Sequence, residues 1–308
     1  MSLIEFIVAS FLGLLLLCGA IGIYGSLKQS DQSIVGLARI QENGRMAIHL
    51  LRQEIQSAGY IGCPRLTNLD IPIADTLYPP FTAEYALKDL TKTHSTHDSI
   101  LIEKADASAY YLISTMPDLK SVLIHPPFKS TNKSWFIISD CSTADVFQIN
   151  GIVKNRQTFL IIANRPLQKK YNTSATLHQL HAISYFIANT GRKNSSGESI
   201  SALYRKEFYN PIQQSDEILE GISRMQIHYD IIDDAKHQVR ENLTAGEVTA
   251  MHAWPKVISV SIALLIDSIE PVFAKPKPYQ YQGKSYLPMD RQLHKEWDMT
   301  IALQERIG

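Results

Sequence analysis

The sequence predicts an α+β protein in which one long N-terminal α-helix, its first half able to cross a membrane, packs on a β-rich globular head. Three observations predict it. From Phe6 to Leu27 no residue is charged, and the run Phe6–Leu17 is almost wholly apolar. At about 1.5 Å per residue a helix of that length crosses a hydrocarbon layer about 30 Å thick. From Ile34 onward the apolar residues Ile34, Leu37, Gly44, Ile48, Leu51, Ile55 and Ala58 recur every three to four positions, which marks one face of an amphipathic helix. Beyond Pro64, the first proline of the chain, the period shortens and runs rich in Ile, Tyr, Phe and Val alternate with turn residues, the pattern of strands.

The helix is expected to be continuous. Arg39, Glu42, Arg45, Arg52 and Glu54 occupy its polar face, Gly59 is the natural C-cap, and Pro64 stops continuation. One helix from Ser2 to Ala58 would be on the order of 85 Å long. This divides the chain into residues 1–27, which lie in lipid or a filament core, residues 28–58, which continue the same helix along the head, and residues 59–308, the β-rich head. Gly13, Gly19, Gly22 and Gly25 weaken the first half by up to about 1 kcal/mol each relative to Ala, and they also permit close approach of another helix.

Glu5 breaks the apolar pattern at its edge. An unpaired carboxylate there costs about 2.5–3.5 kcal/mol on insertion scales. Two readings follow: the side chain reaches the interface from the helix end, or it meets a positive partner, such as a neighbouring subunit's α-amino group, when helices pack. A cleaved secretory signal fits poorly, because no basic residues precede the apolar run and no small-residue cleavage site follows it.

In the head, the expected strands are Ser99–Glu103, Tyr110–Ser114, Val122–His125, Trp135–Ser139, Val146–Ile149, Thr158–Ile162, Ile183–Ala188, Met225–Ile232 and Lys256–Asp267. Asn189–Gly197 reads as a surface loop, Ala245–Ala253 as a short helix, and Lys275-Pro276-Lys277-Pro278 as a stiff exposed connection. Trp297–Arg306 reads as a last strand beside Lys256–Asp267.

Composition narrows the function. The chain has 308 residues, thirty Lys+Arg against thirty Asp+Glu, and 45% apolar residues, enough for a core. Zero net charge gives no global field toward nucleic acid, and no nucleic-acid partner is expected. Of the three cysteines, Cys18 lies in the apolar helix; Cys63 and Cys141 lie in the head. A head facing the periplasm would be in an oxidising compartment, so a Cys63–Cys141 disulfide is expected, closing a loop of just under eighty residues. Loop-closure entropy limits its stabilisation to about 4.5 kcal/mol.

No catalytic, cofactor-binding or metal-binding constellation emerges. His94-x-x-His97-Asp98 and His178-x-x-His181 have the nearest thing to ligand spacing but join no Cys or acidic cluster, and both read as surface loop. Asp233-Asp234 lacks the alternation and Gly of a calcium loop. There is no Gly-x-Ser-x-Gly and no Gly-rich phosphate loop. Lys169-Lys170 and Arg192-Lys193 read as solvated loop charge. Asn172-Thr173-Ser174 matches a glycosylation sequon, a three-residue pattern that carries little meaning by itself.

Met1-Ser2-Leu3-Ile4-Glu5-Phe6 resembles the mature start of a type IV prepilin-like protein, with Met1 where the customary Phe stands and without the short basic leader that usually precedes it. Gln41-Glu42-Asn43-Gly44-Arg45, Ala58-Gly59-Tyr60-Ile61-Gly62-Cys63, Ser139-Asp140-Cys141 with Ala144-Asp145-Val146-Phe147, Leu203-Tyr204-Arg205, Glu220-Gly221-Ile222 and Thr300-Ile301-Ala302-Leu303 are similar to the PilW family of minor pilins. Gln304-Glu305-Arg306 departs from the Arg-Asn-Arg expected there. The resemblance implies a pilin-like head and a structural subunit of type IV pili that acts in a priming or tip complex with other minor pilins, the major pilin and a PilY-type tip adhesin, and supports adhesion or motility. It implies an inner-membrane protein with a periplasmic head before assembly and a place in the pilus, at its tip, afterwards. Met1 and Glu5 are the implied assembly residues. A minor pseudopilin of type II secretion is the near alternative. A periplasmic enzyme with an uncleaved signal anchor is the alternative of another class, and it leaves Glu5 and the amphipathic continuation without a role.

Overall fold

Fifty-four residues without a proline, with apolar side chains on all sides at first and on one stripe later, form a single helix. In the computed structural model, which describes residues 3–62, 87–88, 98–140, 142–155, 157–209, 215–233 and 238–303, α1 runs from Leu3 to Gln56, about 80 Å. The side chains from Phe6 through Gln32 that are described are all exposed. The buried stripe begins only at Gly36 and continues through Ile40, Gly44, Ala47, Leu51, Ile55 and Ala58. Two residues assigned to that face by periodicity do not belong to it: Ile34 is 65% exposed and Leu37 38% exposed. The true stripe is built from small residues in its upper half, because the head approaches the helix too closely there for larger ones. Ile48 sits at the stripe's edge, half-buried.

The head is antiparallel throughout. Its strands are β1 (Leu87–Lys88), β2 (Ile100–Tyr111), β3 (Ser121–Ile124), β4 (Trp135–Ser139), β5 (Ala144–Lys154), β6 (Phe159–Ala163), β7 (Thr176–Lys193), β8 (Ser199–Glu207), β9 (Ser215–Glu220), β10 (Ile222–Asp233), β11 (Gln238–Leu243), β12 (Val257–Asp267), β13 (Tyr279–Tyr281), β14 (Lys284–Tyr286) and β15 (His294–Ala302). The first nine form one sheet in the order β1-β2-β7-β4-β5-β6-β3, with β8 pairing β7 and β9 pairing β8. A second sheet has the order β11-β10-β12-β15, and β13 and β14 form a hairpin. A short helix α2 (Ala245–Ala250) starts from a capping box in which Thr244 and Glu247 satisfy each other's backbone N–H groups.

Several expectations change. The runs Ser99–Glu103 and Tyr110–Ser114 are two ends of the single strand β2, joined through a register shift between Ala105 and Ala109 where Asp106 accepts the Ser108 N–H. The segment read as the loop Asn189–Gly197 is mostly strand: β7 continues to Lys193, turns over Asn194–Glu198 and returns as β8. Its polar composition reflects an exposed hairpin arm. The last strand does lie beside β12, but it starts three residues earlier, at His294.

The core is layered. Ile40, Ala47, Leu51 and Ile55 of α1, with Ala58 just past its end, share one buried cluster with Ile100, Ile102, Ile183, Tyr185 and Leu203 of the first sheet and with Met225, Ile227, Val260, Ile262, Leu264, Met299 and Ile301 of the second. The helix thus buries its stripe against both sheets at once. At about 25 cal/mol per Å2, each fully buried Leu or Ile contributes roughly 1.5–3 kcal/mol.

Candidate functional site: the helix and its seat

The expected site residues are Met1 and Glu5 at the start of α1 and Cys63 and Cys141 in the head; the helix is seated on the head along the stretch from Gly36 to Ile61. Gly44 lies against the face of Trp297 in β15. An added Cβ would stand 2.5 Å from the indole, closer than side-chain atoms pack, so only glycine permits this approach. One residue before, Asn43 donates to the Glu220 carbonyl at 2.9 Å. Glu220 ends β9, and the next residue, Gly221, donates to the Ser201 carbonyl at 2.8 Å and accepts the Asp267 N–H at 2.7 Å. Asn43 is therefore tied to the corner where the first sheet passes into the second. Two turns nearer the N-terminus, Gly36 is covered by Val272 and Ser268.

At the other end of the seat, Lys104 of β2 bridges Glu54 at 2.9 Å and donates to the Ser57 hydroxyl at 3.1 Å. Gly59 takes the left-handed conformation (φ 80°) expected of a helix terminator, but its N–H donates to the Glu103 carbonyl at 2.8 Å, so the helix ends by joining β2. Glu103 itself is fully buried and accepts the Tyr209 hydroxyl at 2.7 Å. Burial, reinforced by the Glu103 charge, pushes the Tyr209 hydroxyl well above the usual phenol range, so it stays a donor. The chain then runs past Tyr60, whose carbonyl accepts Ala105 N–H at 2.7 Å, and Ile61, whose carbonyl accepts the Ser139 hydroxyl at 2.8 Å.

Most of the segments that carried the family resemblance meet at this seat. Asn43-Gly44 touches Glu220-Gly221, and Gly59–Ile61 touches β2 and Ser139. Thr300–Leu303 lies in and just beyond β15, where Ile301 and Leu303 are buried. The individual assembly and disulfide candidates are less completely visible. Met1, Cys63 and Cys141 lie outside the described residues; Glu5 belongs to α1, with its side chain likewise outside the description. Beside Cys141, Asp140 closes a turn by accepting the Ser142 and Thr143 N–H groups and pairing with Lys169 at 2.6 Å. Burial works against that carboxylate, yet these partners hold it below the usual range.

The histidines outside α1 require correction. His178 and His181 are not on a surface loop but in β7. Three residues apart on a strand, they face opposite sides of the sheet and cannot share a ligand. His178 is 2% exposed and is held by the Asp106 carbonyl at 2.8 Å and the Thr176 hydroxyl at 3.0 Å. His181 faces a groove of about 720 Å3 at the helix end, beside Asp106 and Glu207, where its charged neighbours pair among themselves, as Lys104 does with Glu54 and Arg205 with Glu207. His94 and His97, Asp234 and residues 304–306 lie outside the described residues, and Asp233 ends β10. The basic doublets are partly tied down: Arg192 pairs with Glu217 and Glu220, and Lys170 donates to the Pro117 carbonyl at 2.7 Å. Among the described residues no group of three or more His, Cys, Asp or Glu could hold a metal ion.

Sequence reasoning missed one cluster. His294 at the start of β15 is bracketed by Asp267 at 2.7 Å and Asp290 at 2.8 Å. Burial opposes its protonation, but the two carboxylates raise it above its ordinary value. Both ring nitrogens are engaged, so neither is free to take a proton from a nucleophile. Only the alternation of β15 against β12 could have signalled the pair with Asp267.

The family model for Type IV Pilus-assembly protein W, PilW, matches residues 184–305. The match starts within β7 and ends just past β15, so it takes in β8, β9, the whole second sheet and Trp297 of the seat. Searches of curated proteins and of solved structures returned no match.

Proposed function

Residues 184–305 tie the chain to type IV pilus assembly, and from that premise we propose that it is a minor pilin, stored in the inner membrane with its head in the periplasm and built into a priming or tip complex through α1. The observation that carries the reading is the continuity of α1. A helix whose first half exposes an uncharged apolar surface in every direction passes without a break into a half keyed to the head. The apolar half is a span by length and composition. A subunit of this kind can leave lipid for a bundle of similar helices while its head is carried along as one rigid piece. Other minor pilins, the major pilin and a PilY-type adhesin are the partners this reading assigns.

Glu5 supplies the chemistry of entry. In a bundle of packed N-terminal helices, an isolated carboxylate or amine costs several kcal/mol to desolvate. The Glu5 carboxylate of one subunit and the Met1 amine of a neighbour satisfy each other only at the correct axial register. Glu5→Ala should leave the head folded and the chain in the membrane while reducing piliation and co-purification with other minor pilins. Wild-type levels of both would sink the mechanism.

The same reading puts the head in an oxidising compartment, and we propose that Cys63 and Cys141 are bonded there. The support is local: Ile61 and Ser139, two residues before each cysteine, are joined by a hydrogen bond of 2.8 Å. Thiol titration of unreduced, denatured protein should find only Cys18 reactive; three reactive thiols would refute the bond.

A further inference from the structure

The head has one end that faces the start of α1, and its position along the helix can be fixed. Gly36 packs on Val272 and Ser268. A groove of about 680 Å3 extends from there toward the N-terminus, lined by Gly25, Lys28 and Gln32 on the helix and by Phe273, Ala274 and Arg291 on the head. Lys28 is the first charge after the apolar run, so Gly36 stands only about 12 Å beyond the edge of the hydrocarbon. The polar headgroup layer is roughly 5–7 Å deep on each side of a bilayer. The loops around the groove therefore lie at headgroup level.

Two loops converge at this end. The 271–278 loop leaves β12, and the 287–292 loop enters β15; the Arg291 carbonyl accepts the N–H groups of Val272 and Phe273 at 2.9 Å each, which clamps them together. Their composition is unusual for a surface. Leu287 is 76% and Met289 101% exposed, the highest values for large apolar side chains among the described residues of the head. Along the groove and the two loops the cations are Lys28, Lys275, Lys277 and Arg291, and none has an acidic partner within ion-pair distance among the described residues. The acids there are engaged: Glu270 accepts from Ser195, and Asp290 from Gln292 and His294. On the helix, Asp31 follows Lys28 by three residues.

We propose that this end of the head is a docking surface for an anionic lipid bilayer, with Leu287 and Met289 dipping into the headgroup layer and Lys28, Lys275, Lys277 and Arg291 facing lipid phosphates. The bilayer is the occupant because it is already there: a chain held by residues 6–27 cannot place the loops anywhere else. Apolar residues among cations form the combination that interfacial anchors use. Docking fixes the tilt of the head before assembly, and leaving the membrane requires this contact to be broken. The proposal rests on the membrane-anchored reading above.

The test uses the full chain in vesicles of phosphatidylcholine alone or with phosphatidylglycerol, the lipids brominated near the glycerol, and a Met289→Trp variant with the unmodified chain as blank. The fluorescence of the introduced indole should be quenched, more strongly with phosphatidylglycerol. Lys275→Glu with Lys277→Glu should remove that excess with little change in melting temperature, since both side chains are exposed and Lys277 gives up only its contact with the Phe273 ring, at 4.2 Å. Each cation near an anionic surface strengthens the contact by about fivefold, so the double charge reversal should reduce docked occupancy by more than about tenfold. Quenching equal to the blank in both vesicles would overturn docking. So would quenching of equal strength in the two vesicles that the charge reversal leaves unmoved, which would show that the cations do not face lipid phosphates. A chain released from the vesicles by alkaline wash would refute the anchor itself, a result separable from failed docking.

Discussion

The two halves of α1 are one helix with two surfaces, one apolar all round and one apolar on a single stripe, and they differ in what surrounds their small residues. Gly13, Gly19, Gly22 and Gly25 have nothing within 4 Å of an added Cβ. Gly36 and Gly44 have Val272 and the Trp297 indole at 2.9 and 2.5 Å. The first set is permissive, since a Cβ there would meet nothing in the chain. The second set is committed, already filled by the head. A small residue in a helix can thus be read as a contact only after its partner is known.

The sharpest way to break this contrast is to place the same charge in both regions flanking the boundary. Leu51→Asp would bury an unpaired carboxylate in the shared core and should destabilise the head by about 3–4 kcal/mol. Ile34→Asp, on a residue that periodicity put on the same face, should stay within about 0.5 kcal/mol. Thermal melts of the two variants in detergent check the pair; equal losses would show that the packed stripe extends to residue 34.

A milder change sharpens it. Gly44→Ala must push Trp297 aside and should cost about 1–3 kcal/mol through overpacking, whereas Gly22→Ala removes a helix-weakening residue and should leave the head's melting temperature unchanged. If both were neutral, the indole could yield and the seat would be looser than its geometry.

The smallest effect belongs to the end of the seat nearest the N-terminus. Burial lowers the pKa of His294, but Asp267 and Asp290 outweigh it, so its folded-state pKa lies above its unfolded value. Its contribution is fully present below about pH 6.5 and is lost as pH rises through the folded pKa. The melting temperature should fall by a few degrees on that rise, and His294→Gln should flatten the profile. A variant with the same slope would place the titrating group elsewhere.

What the sequence made legible follows from the range of the forces involved. The apolar run, the amphipathic period and strands such as Trp135–Ser139 are local patterns, and they are where periodicity put them. The exact stripe was not legible: a three-to-four period admits neighbouring phases, and Gly36 and Ala47 are too small to announce burial while Ile34 is large enough to suggest it. The β7–β8 arm read as a loop because its residues are polar, and they are polar because most of the arm is exposed and its tip bonds to Ile269 and Glu270 through Asn194 and Ser195. The His178/His181 spacing was visible, but the strand that sets them on opposite faces depends on pairing with β2 and β4. Trp297 and His294 were invisible as site residues, since Gly44 and Asp267, the partners that place them, are more than twenty residues away and meet them only along the helix or across a sheet.

The bond from Asn43 to the Glu220 carbonyl has a geometric consequence. It fixes the angle at which the head is mounted on the helix, as a key fixes a wheel on a shaft. Each residue of helix turns about 100° and advances about 1.5 Å. One alanine inserted between Lys28 and Gly36 would leave the apolar half and the keyed half each with its own pattern. It would nevertheless swing every surface of the head by about 100° relative to the face that residues 3–27 present. The length of that short segment is therefore a phase setting, and it decides which side of the head shares a direction with which face of the apolar half.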